Sequence, residues 1–220
     1  MYGISGIPTD NLLQKTSGSN IIGTLLRYSL ITTSNAAWAK QPDTTCIVVC
    51  GAGGGGGGGG GSRGGTPADG FDGSPGGDTS FGTYIFYSVK GSGGSGSAGT
   101  GGAVTVYTDG VGGLSAINFY SGRAGITAGA GGSSMFGVGG TGTGNNGGIG
   151  AGGGGGYLSE GGMIGGGGAA TIEREIVTIT SPTSTYNIVI GAGGAGGAGG
   201  SNAGAGSTGG QGYVHIWEYT

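Results

Sequence analysis

Short runs of apolar and β-branched residues recur along the chain, separated by long stretches with almost no side chains. The runs are RYSLITT (27–33), TTCIVVC (44–50), FGTYIFYSV (81–89), AVTVYT (103–108), SAINFY (115–120), TIEREIVTIT (171–180), TYNIVI (185–190) and GYVHIWEY (212–219). Val, Ile, Thr, Tyr and Phe dominate them, as expected of pleated, partly buried strands. TTCIVVC lacks polar alternation and predicts a strand buried on both faces. TIEREIVTIT alternates and predicts half-burial, with Glu173, Arg174 and Glu175 at its exposed start. Asp109-Gly110 and Ser181-Pro182-Thr183-Ser184 mark turns. Residues 34–40 read as a turn that presents Trp38, and 62–78, SRGGTPADGFDGSPGGD, as a loop whose only aromatic is Phe71. Residues 1–26 stand apart: short apolar segments broken by Ser-Gly-Ser-Asn, with Gly3, Gly6 and Pro8 arguing against a helix at the start.

The stretches between the strands are the unusual part. Residues 51–61 read GAGGGGGGGGG, and similar runs fill 152–156, 165–168 and 191–200. Glycine makes up 67 of 220 residues, against a usual share of about 7%. It disfavours a helix interior and offers a strand nothing to pack. In GAGGAGGAGG the residues Ala192, Ala195 and Ala198 recur every third position, as do Ser92, Ser95 and Ala98 earlier. Three residues per turn is the period of a polyproline II helix, which has no internal hydrogen bonds. Small side chains then fall on one edge, leaving two bare edges where neighbouring helices can approach and satisfy each other's backbone groups. Nine glycines from Gly53 to Gly61 would span about 28 Å in this form. A flexible linker is the competing reading. Twice a strong strand feeds a glycine run, TTCIVVC into GAGGGG and TYNIVI into GAGGAGG. The predicted fold is therefore all-β: a β-sandwich-like base with glycine-rich loops packed as polyglycine II helices, and essentially no α-helix.

Charge narrows the function classes. Only 8% of residues are charged and the net charge is −3. Lys and Arg number seven and are scattered, so there is no basic stripe for nucleic acid. No apolar run approaches the roughly 20 residues needed to cross a bilayer, and the start of the chain lacks the basic and apolar segments of a secretory signal. Cys46 and Cys50, four apart on one strand, lie about 13 Å from each other and cannot bridge. They read as buried structural residues.

Candidate chemistry is sparse. IVVCGAGGGG and IVIGAGGAGG place GxGxxG after a strand, at Gly51, Gly53, Gly56 and at Gly191, Gly193, Gly196. That fingerprint works through the helix that follows it. Here more glycine follows, so nucleotide binding is not expected. A P-loop is excluded by the absence of Gly-Lys-Ser or Gly-Lys-Thr. His215 is the sole histidine and lies in the terminal strand, so a multi-histidine metal site within one chain is excluded, no Ser-His-Asp triad is expected around it, and it reads as structural. Asp69, Asp72 and Asp78 form the densest acidic group, with nothing rigid to set their spacing. No enzyme, cofactor or metal is expected. The aromatics isolated between glycine runs, Phe71, Phe136 and Tyr157, either form a recognition surface or cap the glycine bundle against water.

The segments SNAAWAKQPDTTCIVVCGAGGGGGG (34–58) and TIEREIVTITSPTSTYNIVIGAGGAGGAGG, with GGQGYVHIWEY at the end, resemble the glycine-rich tip domains of tailed-bacteriophage tail fibres. In that family a Trp and a short Pro-containing turn precede a strand into poly-Gly, and a short hydrophobic strand closes the chain. The likeness covers roughly 27–220. It implies a non-enzymatic adhesin on the virion, at the tail fibre tip, that recognises a host-cell surface receptor, protein or glycan. Residues 1–26 would then be an N-terminal attachment segment docking on a tail fibre or baseplate protein, and 27–220 the tip domain of a separate subunit. The resemblance points to a homotrimer, or to a single copy on a trimeric shaft as in some related adhesins, with no nucleic acid partner and no membrane insertion. Two other readings stand beside it: a purely structural tip or cap of a tail fibre or baseplate, and a cellular extracellular glycine-rich binding domain. The last would normally bring a signal peptide and disulfides. Receptor contact is expected from side chains that interrupt the glycine runs: Phe71, Met135, Phe136, Tyr157 and Leu158, with Arg63, Asp72 and Asn146 as polar companions.

Overall fold

A computed structural model describes residues 23–63, 70–85, 130–134, 136–141, 145–156, 162–163, 168, 177–200 and 203–220. The expected strands at 103–108 and 115–120 lie outside these residues. Among the described residues the chain is all-β with no helix. One antiparallel sheet has the order β1 (Leu25–Ile31), β10 (Tyr213–Tyr219), β3 (Cys46–Ala52), β8 (Val177–Ile179). The other has the order β2 (Asn35–Ala39), β9 (Thr185–Val189), β5 (Ser80–Phe81), β6 (Tyr84–Ile85). A two-stranded pair joins β4 (Ser62–Arg63) to β7 (Gly162–Met163).

β3 is buried along its whole length, as its unbroken apolar run requires. It continues two residues beyond Cys50 because β10 opposes it in full, Val214 to Gly51 and Tyr213 to Ala52. The last strand of the chain is thus central, between β1 and β3. Alternation along β10 sends Val214 and Ile216 to one face, beside Val49 and Gly51 of β3. These residues share an apolar cluster with Trp38, Phe81 and Ile188 of the other sheet. Glu218, on the same face, is fully buried yet well satisfied. Its carboxylate pairs with the Arg27 guanidinium and accepts from Gln41 N–H at 2.7 Å and from the Thr44 hydroxyl at 3.0 Å. Arg27 also donates to Ala39 O at 2.7 Å and lies 4.8 Å over the Trp38 ring. One buried carboxylate so ties β1, β2 and the β2–β3 connection to β10.

Three expectations need correction. Residues 35–39 are a strand, not a turn, and Trp38 is buried at 6% exposure. The alanines carry no strand signal; the pairing with β9 and the ring contacts of Trp38 with Phe81 and Tyr186 decide the conformation. The run from 81 does not continue as one strand. It turns back at Gly82, where φ is +61°, so β5 and β6 form a tight hairpin. Finally, residues 71–77 are not an irregular loop but an ordered rod.

That rod belongs to a set of extended segments bonded laterally at every third residue. Gly54, Gly57 and Gly60 donate to the carbonyls of Gly77, Ser74 and Phe71. Gly77, Ser74 and Phe71 in turn donate to Ala192, Ala195 and Ala198. Gly194, Gly197 and Gly200 donate to Gly55, Gly58 and Gly61, so 191–200 runs parallel to 53–61. Gly55, Gly58 and Gly61 donate to Gly210, Ser207 and Gly204 of an antiparallel neighbour. Gly153 and Gly156 donate to Gly56 and Gly59. The segment 53–61 is surrounded and entirely buried. Along 191–200 the alanines at 192, 195 and 198 are exposed while Gly191, Gly194 and Gly197 are buried. The same period hides in 70–78: Gly73 and Gly76 lie against carbonyls of the central segment, and Asp72, Pro75 and Asp78 face outward. Proline fits at 75 because that position donates no bond to a neighbour.

Spacing leaves no room for Cβ atoms. One added at Gly54, Gly57 or Gly60 would stand well under 3.0 Å from the carbonyl of Ala192, Ala195 or Ala198, and both sides of the clash are backbone. Gly57→Ala should therefore destabilise the protein by about 2 kcal/mol or more, while Ala195→Ser, on the exposed edge, should stay within about 0.5 kcal/mol. Denaturant midpoints of the two variants measure this, and equal midpoints would refute the tight lateral packing.

Candidate functional site

The described residues have two distinct ends. Thr24 exchanges hydrogen bonds with the C-terminal Thr220, N–H to carbonyl at 3.1 Å and N–H to hydroxyl at 3.0 Å. Beside them β3 begins at Cys46, opposite Tyr219. From this end β3 leads into the segment 53–61, and β9 leads into 191–200. Both glycine segments run away from the sheets in parallel. Strand and rod together put Gly60 roughly 50 Å from Cys46 along the chain. Strand β1 begins at Leu25, two residues before the start expected for the domain, while residues 1–22 lie outside the described residues.

Phe71 is at the far end. Its N–H donates to Ala198 O at 3.0 Å and its carbonyl accepts from Gly60 N–H at 2.9 Å. The backbone is held on both sides while the ring is 61% exposed. Asp72 follows it on the outward row of the same rod. Arg63 lies in β4, just beyond Gly61, so the backbone brings it to the same end of the bundle. An exposed aromatic and a carboxylate on laterally bonded backbone, with the Arg63 backbone at the same end, form a surface suited to contact with a macromolecule.

Phe136 is elsewhere. Its ring meets Tyr213 edge-on at 4.9 Å and His215 at 4.8 Å, at the root of the rods where Tyr213 opposes Ala52. The Ser134 hydroxyl accepts from the N–H groups of Phe136 at 3.2 Å and Gly137 at 2.9 Å, which shapes the turn that presents the ring. Half-covered at 37% exposure, Phe136 shields the sheet. Asn146 sits on the flank of the bundle, where its side-chain oxygen accepts from Thr208 N–H at 3.2 Å. Met135, Tyr157 and Leu158 lie outside the described residues. The fold thus gathers Phe71, Asp72 and Arg63 at one end and separates Phe136 and Asn146 from them.

An aromatic stripe on the outer face of β10 was not singled out by sequence. Tyr213, itself buried in the core cluster, His215 and Trp217 alternate with Val214 and Ile216, and His215 and Trp217 stack at 5.4 Å. Tyr28 of β1 leans on both, with its hydroxyl 2.7 Å from His215 Nδ1. The period-two pattern in GYVHIWEY carries this signal. His215 is buried, which suits a structural role.

After β3, Gly54, Gly55, Gly57, Gly58, Gly60 and Gly61 donate to neighbouring segments, after β9 Gly194, Gly197 and Gly200 do, and no helix follows either strand to offer its N-terminus to a phosphate. No cluster of three or more His, Cys, Asp or Glu suited to a metal occurs among the described residues. Among them, too, no helix is long and apolar enough to cross a membrane. Cys46 and Cys50 are buried and form no disulfide. Burial pushes the Cys46 thiol above its ordinary value, away from a reactive thiolate. Burial, and then the neighbouring Cys46, push the Tyr219 hydroxyl up as well.

These placements separate two kinds of aromatic. Phe136→Ala should lower stability by about 1–2 kcal/mol through lost ring contacts, and Phe71→Ala should leave it within about 0.5 kcal/mol. Thermal melts of both variants check this; a stability loss confined to Phe71→Ala would reverse the assignment.

Compared with known proteins, the chain matches no family model, no curated protein and no solved structure.

Proposed function

We propose that this chain is a non-enzymatic adhesin, the receptor-binding tip protein of a tailed-bacteriophage tail fibre, and that its rod ends contact the host-cell surface. The observation that carries this reading is the polarity of the molecule. The described chain enters beside Thr220 at the sheet end, and the exposed Phe71–Asp72 pair stands at the opposite end of a backbone-bonded glycine bundle. Such a bundle is rigid and nearly featureless, so discrimination falls to the side chains that interrupt it.

The finer fold belongs to the same proposal. The glycine segments are polyglycine II helices on a sandwich-like base. Hydrogen bonds recurring every third residue, the three-residue rhythm of exposure along 191–200, and positive φ at Gly82 and Gly150 alone among the described glycines all support it. Residues 1–26 dock the domain on a tail fibre or baseplate protein, as a homotrimer, in the virion. The alternative of a purely structural cap draws support from Phe136, which covers the sheet and not the far end.

Purified protein should adsorb to host bacteria and compete with phage adsorption. Combined substitution of Phe71 by Ala and Asp72 by Asn should abolish competition at an unchanged melting temperature. Full competition by that double variant, or none by the parent protein, would sink the rod-end adhesin. Removing residues 1–22 should leave a folded domain that still adsorbs to cells but no longer enters particles. Removing 1–26 should in addition lower stability, because Leu25 and Leu26 belong to β1. Normal incorporation of the shorter truncation would exclude docking through that segment.

A further inference from the structure

A cleft of about 350 Å³ opens between the β5–β6 turn and the turn that joins β8 to β9. It lies beside the start of β9, far from Phe71, and its argument is independent of the adhesin reading. We propose that this cleft is a binding site for a neutral sugar residue.

The lining chemistry makes the case. None of the described lining residues is charged. Among them a phosphate, a carboxylate or a divalent cation would find no counter-charge. What the cleft offers instead is the hydroxyls of Ser181, Thr183 and Thr185, the amide of Asn187, and the rings of Tyr84 and Tyr186. Hydroxyls and an amide both donate and accept, as sugar hydroxyls do. Tyrosine rings supply the apolar face against which the C–H side of a pyranose packs. The volume is at the lower end of small-ligand sites, the size of one or two sugar rings.

The walls are set in advance. Tyr186 stacks on the buried Phe81 at 4.3 Å, and its hydroxyl accepts from Thr183 N–H at 3.0 Å. The Thr183 hydroxyl donates to Thr185 O at 3.0 Å, which holds the rim of the cleft. On the other side Gly82 takes a φ of +61° and donates to Asn187 O at 2.8 Å, turning the chain so that Tyr84 stands over the cleft. A Cβ at Gly82 would come 3.0 Å from the Tyr186 ring, so a side chain would crowd the wall as well as strain the turn. Tyr84 is 36% exposed, open enough to meet a ligand. A site built this way loses little freedom on binding.

Full-length protein carrying ¹³C-labelled tyrosine tests the proposal by titration with glucose, galactose, mannose, N-acetylglucosamine and N-acetylgalactosamine. Glucuronate and N-acetylneuraminate serve as charged comparisons. At least one neutral sugar should shift the Tyr84 and Tyr186 ring signals saturably, with a dissociation constant in roughly the millimolar range. Tyr84→Ala should weaken that binding by about tenfold or more, and Phe71→Ala should leave it unchanged. Should Tyr84→Ala unfold, Asn187→Ala, at an exposed position, carries the same expectation. The proposal is overturned if no neutral sugar gives saturable shifts, if a charged sugar binds as well as the best neutral one, or if binding survives substitution at both Tyr84 and Asn187.

Discussion

Everything in this molecule depends on backbone carbonyls standing where side chains would otherwise be. At Gly54, Gly57 and Gly60 the neighbouring carbonyl occupies the space of a Cβ, and the same holds at Gly55 and Gly58 against Ala151 and Gly154. Glycine is therefore a packing requirement, not a source of freedom. The segments lack apolar side chains, so burial of side chains cannot stabilise the bundle. What compensates is a lattice of N–H to carbonyl bonds near 2.8–3.0 Å running in several directions from the segment 53–61. Buried backbone groups must be paired, and at this spacing each segment pairs only with its neighbours. Loss of one segment would leave a row of unsatisfied donors or acceptors in the next.

The sheets solve the complementary problem of where the lattice begins. β3 and β9 lead directly into parallel glycine segments, and Thr79 beside β5 donates register from the side by accepting Gly191 N–H at 3.0 Å. A conventional apolar cluster anchors these strands, drawing on Trp38, Phe81 and Ile188 from one sheet and Ile47, Val49 and Ile216 from the other. The Glu218–Arg27 network closes the far side of that cluster. A buried ion pair is weak evidence of net stability, but its several partners require the β2–β3 connection and β1 to meet β10 in a single arrangement. The core and the lattice thus have different chemistry and share the same strands.

The proposed functions follow from this division. Along 191–200 the side chains of Ala192, Ala195 and Ala198 face outward, because a Cβ on the inward glycines would meet neighbouring backbone. Phe71 is presented in that way at the rod ends. The tyrosines of the proposed sugar cleft are presented differently, by a hairpin turn and by stacking on the core. Phe136 illustrates the opposite outcome, an aromatic that interrupts a glycine-rich region yet packs down onto Tyr213 and His215.

Much of the fold was legible in sequence. The unbroken apolar run of β3 and the apolar, β-branched runs at 185–190 and 212–219 all predicted strands where strands occur, and the alanine period along 191–200 predicted which edge would carry the side chains. These are local properties, set by side-chain chemistry and backbone period. The rod at 70–78 was missed because Asp, Pro and Ser are also turn formers; only the neighbours at 54–60 and 192–198 turn that composition into an ordered segment. Strand β2 was missed because Asn-Ala-Ala carries no preference until β9 and the Trp38 contacts supply one. The candidate site was legible as a set of residue types and not as a place. Phe71 and Phe136 look alike in sequence, each an aromatic among glycines, and they lie at opposite ends of the rods. Chain composition and the three-residue period set backbone-to-backbone packing of the glycine segments against a flexible linker; which of the two holds, which segments meet, in which direction, and which side chains reach the rod ends were decided only in three dimensions, because lateral hydrogen bonds between bare backbones carry no sequence code.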